Sequence, residues 1–134
     1  MRKRLAVFCL ALLVVPAHAR AATSDCKLHQ GQRVALYGSG DDPDVLAWDS
    51  RFRLREYHAA SYDEAEQLLP HASLEPSGTR AMVVSCVAGF VQSRMLIGPQ
   101  DAVGIILLNG PDHGIGKWVL GTDVRTVGTE RDHR

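Results

Sequence analysis

The sequence predicts an all-β fold, a small antiparallel barrel or sandwich with one short inserted helix. Three observations lead there. Short β-prone runs recur along the chain, separated by glycine-rich turns. A capping box marks one helix start, Ser61 followed three residues later by Glu64. Strands do not alternate with long helical stretches, which argues against a parallel α/β plan. The 134 residues contain no internal repeat, linker or low-complexity tract, so residues 22–128 are expected to form a single domain.

Each element has its own warrant. Arg33 to Tyr37 reads as the first strand and stops at Gly38-Ser39-Gly40-Asp41-Asp42-Pro43-Asp44, a run of turn formers without an apolar residue. That run predicts an exposed acidic loop. Val45 to Trp48 then re-enters the core, and Asp49-Ser50 permits a tight turn. Arg51 to Arg55 alternates polar and apolar with period two, which predicts a half-buried strand with Phe52 and Leu54 inward. In the helix that Ser61 opens, Asp63 suits the first turn, Ala65, Leu68 and Leu69 form an apolar stripe, and Pro70 ends it. Beyond Pro76-Ser77-Gly78, three runs are strand-like: Arg80 to Cys86, Phe90 to Leu96 and Ala102 to Leu108, divided by Gly89 and by Gly98-Pro99. An Asn109-Gly110-Pro111 turn leads into Lys117 to Leu120 and a last strand, Val124 to Val127. Thr129 to Arg134 is too polar to pack and is expected to be a disordered tail.

The N-terminus specifies a compartment. Arg2, Lys3 and Arg4 precede an unbroken apolar run from Leu5 to Val15, then Pro16 and small residues at Ala17, Ala19 and Ala21, the pattern of a secretory signal peptide at residues 1–21. That run of 11 residues is about half of what a bilayer-spanning helix needs and no second candidate follows it, so no membrane association is expected after processing. The chain carries 15 basic and 15 acidic side chains, but the leader takes four basic residues and no acidic one. The mature chain is therefore acidic, at about −4, which disfavours a nucleic-acid partner. Cys9 leaves with the leader. Cys26 and Cys86 remain as an even pair in an oxidising compartment, periplasmic or secreted, and are expected to form one disulfide. On the chain-entropy model a loop of that length restricts the unfolded state by roughly 4 kcal/mol.

Val34-Ala35-Leu36-Tyr37 with the acidic loop behind it resembles the opening of bacterial Src-homology-3-like barrel domains. Val103-Gly104-Ile105 through Gly110, then Gly114-Ile115-Gly116-Lys117-Trp118-Val119 and Asp123-Val124, is similar to their closing strands, where glycine, an aromatic and valine precede the last turn. Lys117 departs from the usual glycine before the aromatic, and the Ser61 helix is an insertion. In that family the tyrosine ending the first strand and the acidic loop help line the ligand groove. The resemblance thus implies Tyr37 with Asp41, Asp42 or Asp44 as ligand-binding residues. In a chain this poor in aromatics Trp48 and Trp118 are expected at the core or its edge, yet Trp48 also joins the candidates on physical grounds, because an exposed ring offers large contact area at low rotamer cost. Neighbouring carboxylates favour a cationic group on the ligand, such as a lysine or diaminopimelate side chain.

Other motifs lack the parts their chemistry needs. Ser85 to Gln92 resembles the nucleophile segment of bacterial cysteine peptidases that cut cell-wall stem peptides, with Val103-Gly104-Ile105 similar to their histidine strand. Here Gly89 interrupts the helix that would activate Cys86, and Asp101 or Ala102 stands where the base belongs. Gly110 to Lys117 mimics a phosphate loop but runs into a strand with Trp118 in place of the hydroxyl. Gly38-Ser39-Gly40 lacks the flanks of a serine nucleophile elbow. His29, His58, His71 and His113 are scattered without zinc-ligand spacing, and Asp41, Asp42 and Asp44 lack the distal glutamate of a calcium loop. Arg51, Arg53 and Arg55 would project from one strand face, either as a wet surface or as a grip for anionic groups. No metal or cofactor is expected. The resulting expectation is an exported, non-catalytic binding module for a peptide, a cell-wall fragment or a protein partner. The alternatives are a small periplasmic inhibitor or immunity protein of a secreted enzyme, and a cell-wall cysteine peptidase.

Overall fold

The computed structural model describes residues 26–93, 95 and 97–128. The leader and the tail expected from the sequence lie outside them. The described chain is mostly antiparallel β: seven strands form one curled, half-barrel sheet, accompanied by two short helices. In chain order the elements are β1 (Arg33–Leu36), β2 (Asp44–Trp48), α1 (Arg51–Ala59), α2 (Tyr62–Leu68), a 3-10 turn (Leu69–His71) and β3 (Ala72–Pro76). Then come β4 (Arg80–Val91), β5 (Gln100–Leu107), β6 (Gly116–Leu120), a second 3-10 turn (Gly121–Asp123) and β7 (Val124–Thr126). Across the sheet the order is β3-β2-β6-β5-β4-β1-β7. The first strand thus lies against the last.

Two apolar layers cover the two sides of the sheet. Val34, Leu36, Val45, Ala47, Val83, Val103, Ile105 and Val119 form the larger layer. On the other side Trp48, Leu54, Val91, Ala102 and Leu120 pack between sheet and helices. Strand β2 feeds both, since alternation sends Val45 and Ala47 one way and Leu46 and Trp48 the other. That is why Val45 to Trp48 reads as an unbroken apolar run. Gly104 on β5 has a packing reason: a Cβ there would lie 3.1 Å from Cη2 of Trp118.

Three sequence expectations are corrected. Arg51 to Arg55 is not a strand but the first half of α1, and the single expected helix becomes two. The period-two alternation spans only five residues; over nine, Leu54, Tyr57 and His58 follow the i, i+3, i+4 spacing of one helical face. Ser50 caps it, its hydroxyl accepting the Arg53 backbone N–H at 3.2 Å. Leu54 is buried as expected, whereas Phe52 is 50% exposed. Next, Gly89 does not divide two strands. It adopts φ +62° and forms part of a bulge between Val87 and Val91, its N–H donating to Oδ1 of Asp101 at 3.0 Å. Strand β4 therefore runs on to Val91, and Gln92, Ser93, Met95 and Ile97 belong to no strand; Arg94 and Leu96 lie outside the described residues. Finally, β3 is a strand that the sequence did not announce.

Polar content hid β3. Glu75 pairs with Val45 and is wholly buried, which no alternation rule anticipates. Ser73 donates to its Oε1 at 2.9 Å, while Oε2 has no donor among the described residues. Burial first, and then the facing Asp112 carboxylate, push the Glu75 pKa up. A raised pKa favours the neutral carboxyl and so lessens the cost of a buried charge. The capping box of α2 is present, with Glu64 Oε2 accepting the Ser61 N–H at 3.3 Å.

Cys26 and Cys86 form a disulfide, with Cα atoms 6.2 Å apart, tying the N-terminal arm to β4. No helix among the described residues is long and apolar enough to cross a membrane.

Candidate functional site

An open cleft of about 680 Å³ lies between the acidic loop, helix α1 and strands β2 and β3. Its floor is apolar and its rim is charged. Trp48 and Leu54 form the floor, with Tyr57 inclined against the indole at 4.8 Å between ring centroids. Leu69 and Leu74 stand at the edge with 41% and 64% of their surface exposed.

The acidic end is built by backbone. At Gly38 a Cβ would come within 2.9 Å of the carbonyl oxygens of both Asp42 and Asp44, so the loop folds back on itself more closely than any other residue permits. Ser77, in the turn after β3, pins it: its hydroxyl accepts the Gly38 N–H and donates to the Asp42 carbonyl, each at 3.3 Å. The Ser77 N–H donates to the Pro43 carbonyl at 2.8 Å. Held this way, Asp42 and Asp44 face the cleft together with Asp123 from the second 3-10 turn. Burial, and secondarily the Asp42 charge, push the Asp123 pKa up to about 6. On the helix side His58 lines the cleft, edge-on to Tyr57 at 5.2 Å between centroids. Burial lowers its pKa, so near neutral pH it is an uncharged imidazole.

The sequence-predicted residues are divided by this geometry. Asp42, Asp44 and Trp48 line the cleft, while Asp41 is exposed outside it. The exposed indole expected at Trp48 is corrected: that side chain is fully buried, because β2 is covered on both faces. Tyr37 does not join the cleft either. Leu36 points into the core and alternation turns Tyr37 outward, where Arg125 covers its ring at 4.5 Å. Asp123, His58 and Tyr57 were not identified from the sequence. A helical reading of residues 51–59 would have placed Tyr57 and His58 beside Leu54, whereas Asp123 carries no local signal beyond its turn.

The arginine row is also redistributed. On a helix, residues four apart share a face, so Arg51 and Arg55 both lie against Phe90, at 5.5 and 4.5 Å from its ring centroid. Arg53 points elsewhere and pairs with Glu56 at 3.3 Å. The one grouping of three metal-ligating side chains among the described residues is Cys26, Cys86 and Asp101, and its two sulfurs are bonded to each other. That bond also withdraws Cys86 from nucleophilic chemistry, and the residue sits within a strand. Comparison with known proteins finds no match for this chain among family models, curated proteins or solved structures.

Proposed function

We propose that the chain is an exported binding module of the Src-homology-3-like barrel kind, whose cleft takes a cationic group on an apolar stem. A lysine or diaminopimelate side chain of a peptide or cell-wall fragment has that chemistry. The observation that carries the reading is the union of three carboxylates, Asp42, Asp44 and Asp123, with an apolar floor in one cleft. An ammonium ion meets the carboxylates while its methylenes cover Leu54 and Tyr57. The barrel assignment draws support from the pairing of β1 with β7 and from the 3-10 turn that precedes the last strand. The disulfide supports export, since such bonds persist in oxidising compartments.

Co-sedimentation with isolated cell-wall sacculi, alongside pull-down of soluble partners, tests the proposal. Wild type should sediment with the wall, and Asp42→Asn and Asp123→Asn should each release it. Retention of both variants on the wall would defeat the cleft assignment, and capture of one soluble enzyme instead would favour an inhibitor. One observation favours a catalytic reading: His58 and Asp123, two groups with displaced pKa values, line the same cleft. Turnover of a stem peptide that disappears in His58→Gln would establish that reading over binding alone.

A further inference from the structure

The outer face of β1 carries a second site with the opposite charge. Arg80 on β4 and Arg125 on β7 are both direct cross-strand partners of Ala35. Directly opposed residues share a face of a sheet, so two guanidinium groups flank a single methyl. With neighbouring strands about 4.8 Å apart, the two arginine backbones are separated by about 10 Å, a span their side chains bridge. Alternation along β1 places Arg33 and Tyr37 on this same face, two residues to either side of Ala35. The result is a concavity of about 250 Å³ lined by Ala35, Tyr37, Arg80 and Arg125.

Three features point to an anion. Arg33, Arg80 and Arg125 are all exposed, and none takes part in an ion pair among the described residues. Like charges gathered on adjacent strands repel, and a bound anion would offset that repulsion. Arg125 is already oriented, its Cζ lying 4.5 Å from the centroid of the Tyr37 ring, so less rotamer entropy remains to be lost on binding. The floor is the small side chain of Ala35, and the concavity over it, about 250 Å³, is of a size for a compact group.

We propose that this pocket binds an oxyanion, a phosphate or carboxylate group, between the forked donors of Arg80 and Arg125. The inference does not depend on the acidic cleft. Inorganic phosphate and acetate, each titrated at constant ionic strength into the disulfide-bonded protein, are the probes, read by NMR at the Ala35 amide and the Arg125 side-chain Nε–Hε. Saturable shifts confined to this face are expected, and the probe that saturates at lower concentration identifies the oxyanion. Arg80→Gln and Arg125→Gln should each weaken binding about tenfold. Arg125→Lys, which keeps the charge and loses the fork, should weaken it severalfold, and Arg53→Gln on α1 should leave it unchanged. Absence of saturation with both probes would overturn the proposal. So would an affinity that Arg125→Gln leaves intact while the variant's spectrum shows a native fold, or one lowered equally by Arg53→Gln.

Discussion

The acidic cleft and the arginine face adjoin along two stretches of chain and differ in charge and in burial. Asp123 and Arg125 are two residues apart, and the Tyr37 N–H donates to the Asp123 carbonyl at 2.8 Å. Tyr37 belongs to one region and Gly38 to the other. In the cleft, partial burial makes ionisation costly, which raises Asp123 and lowers His58. On the outer face the arginines are exposed to water. The lesson is that burial makes the cleft responsive to pH across the mildly acidic range.

Breaking that comparison altogether requires a change that both regions share. Replacing Cys26 and Cys86 by serine should lower stability by about 2–5 kcal/mol, measured by urea unfolding, and should affect both regions together because β1 is held against β4. Separating them takes a cavity on the helix side. Leu54→Ala should cost about 2–4 kcal/mol and collapse the cleft floor, while Ala35 and Arg125 keep their chemical shifts. Gly38→Ala attacks the acidic loop alone. Its Cβ would strike two backbone carbonyls, so a loss of about 1–3 kcal/mol is expected, with shifts concentrated at Asp42, Asp44 and Ser77.

The smallest effect has the opposite sign. Asp123 holds its proton up to about pH 6 in the folded protein, against an ordinary value of 3.8. Between those limits the native state binds more protons than the unfolded state, so this group's contribution to stability falls as pH rises from about 4 to 6. Asp123→Asn should remove that fall. The variant should be more stable at pH 7 by about 1 kcal/mol, allowing for screening at a partly exposed carboxyl. Thermal unfolding at pH 4 and pH 7 checks it. Glu75 titrates in the same direction above its ordinary value of 4.5, so the Asp123→Asn profile should be compared with that of Glu75→Gln.

Local patterns were legible where one local rule acted alone. Val34 to Leu36, the turn formers of residues 38–44 and the Ser61 capping box each announced themselves, and the disulfide followed from counting cysteines. Arg51 to Arg55 was misread because five residues satisfy both a strand and a helix period, and the deciding residues, Tyr57 and His58, lie farther along. Gly89 was expected to divide two strands, and it sits instead in a bulge within one, because the positive φ that glycine permits serves a bulge as well as a break. Glu75 concealed β3 because a carboxylate within a strand reads as an exposed position, whereas it is wholly buried opposite Val45. Of the cleft, Asp42 and Asp44 were found through the loop's composition, whereas Asp123 is brought in by tertiary structure alone. Tyr37 was expected beside the acidic loop in one groove; it lies apart from the cleft, because Leu36 beside it points inward and alternation turns the tyrosine out.

The proposal turns on recognition of a cation by the cleft carboxylates, the partly buried Asp123 among them. Calorimetric titration of wild type and Asp123→Asn with a lysine-bearing peptide, its α-amino and carboxyl ends blocked, at pH 5 and pH 7.5 tests it most directly. The account predicts that wild type binds about tenfold more tightly at pH 7.5, where Asp123 is ionised, and that Asp123→Asn binds weakly and almost equally at both pH values. Equal wild-type affinity at the two pH values, or binding that survives unchanged in Asp123→Asn, would contradict it.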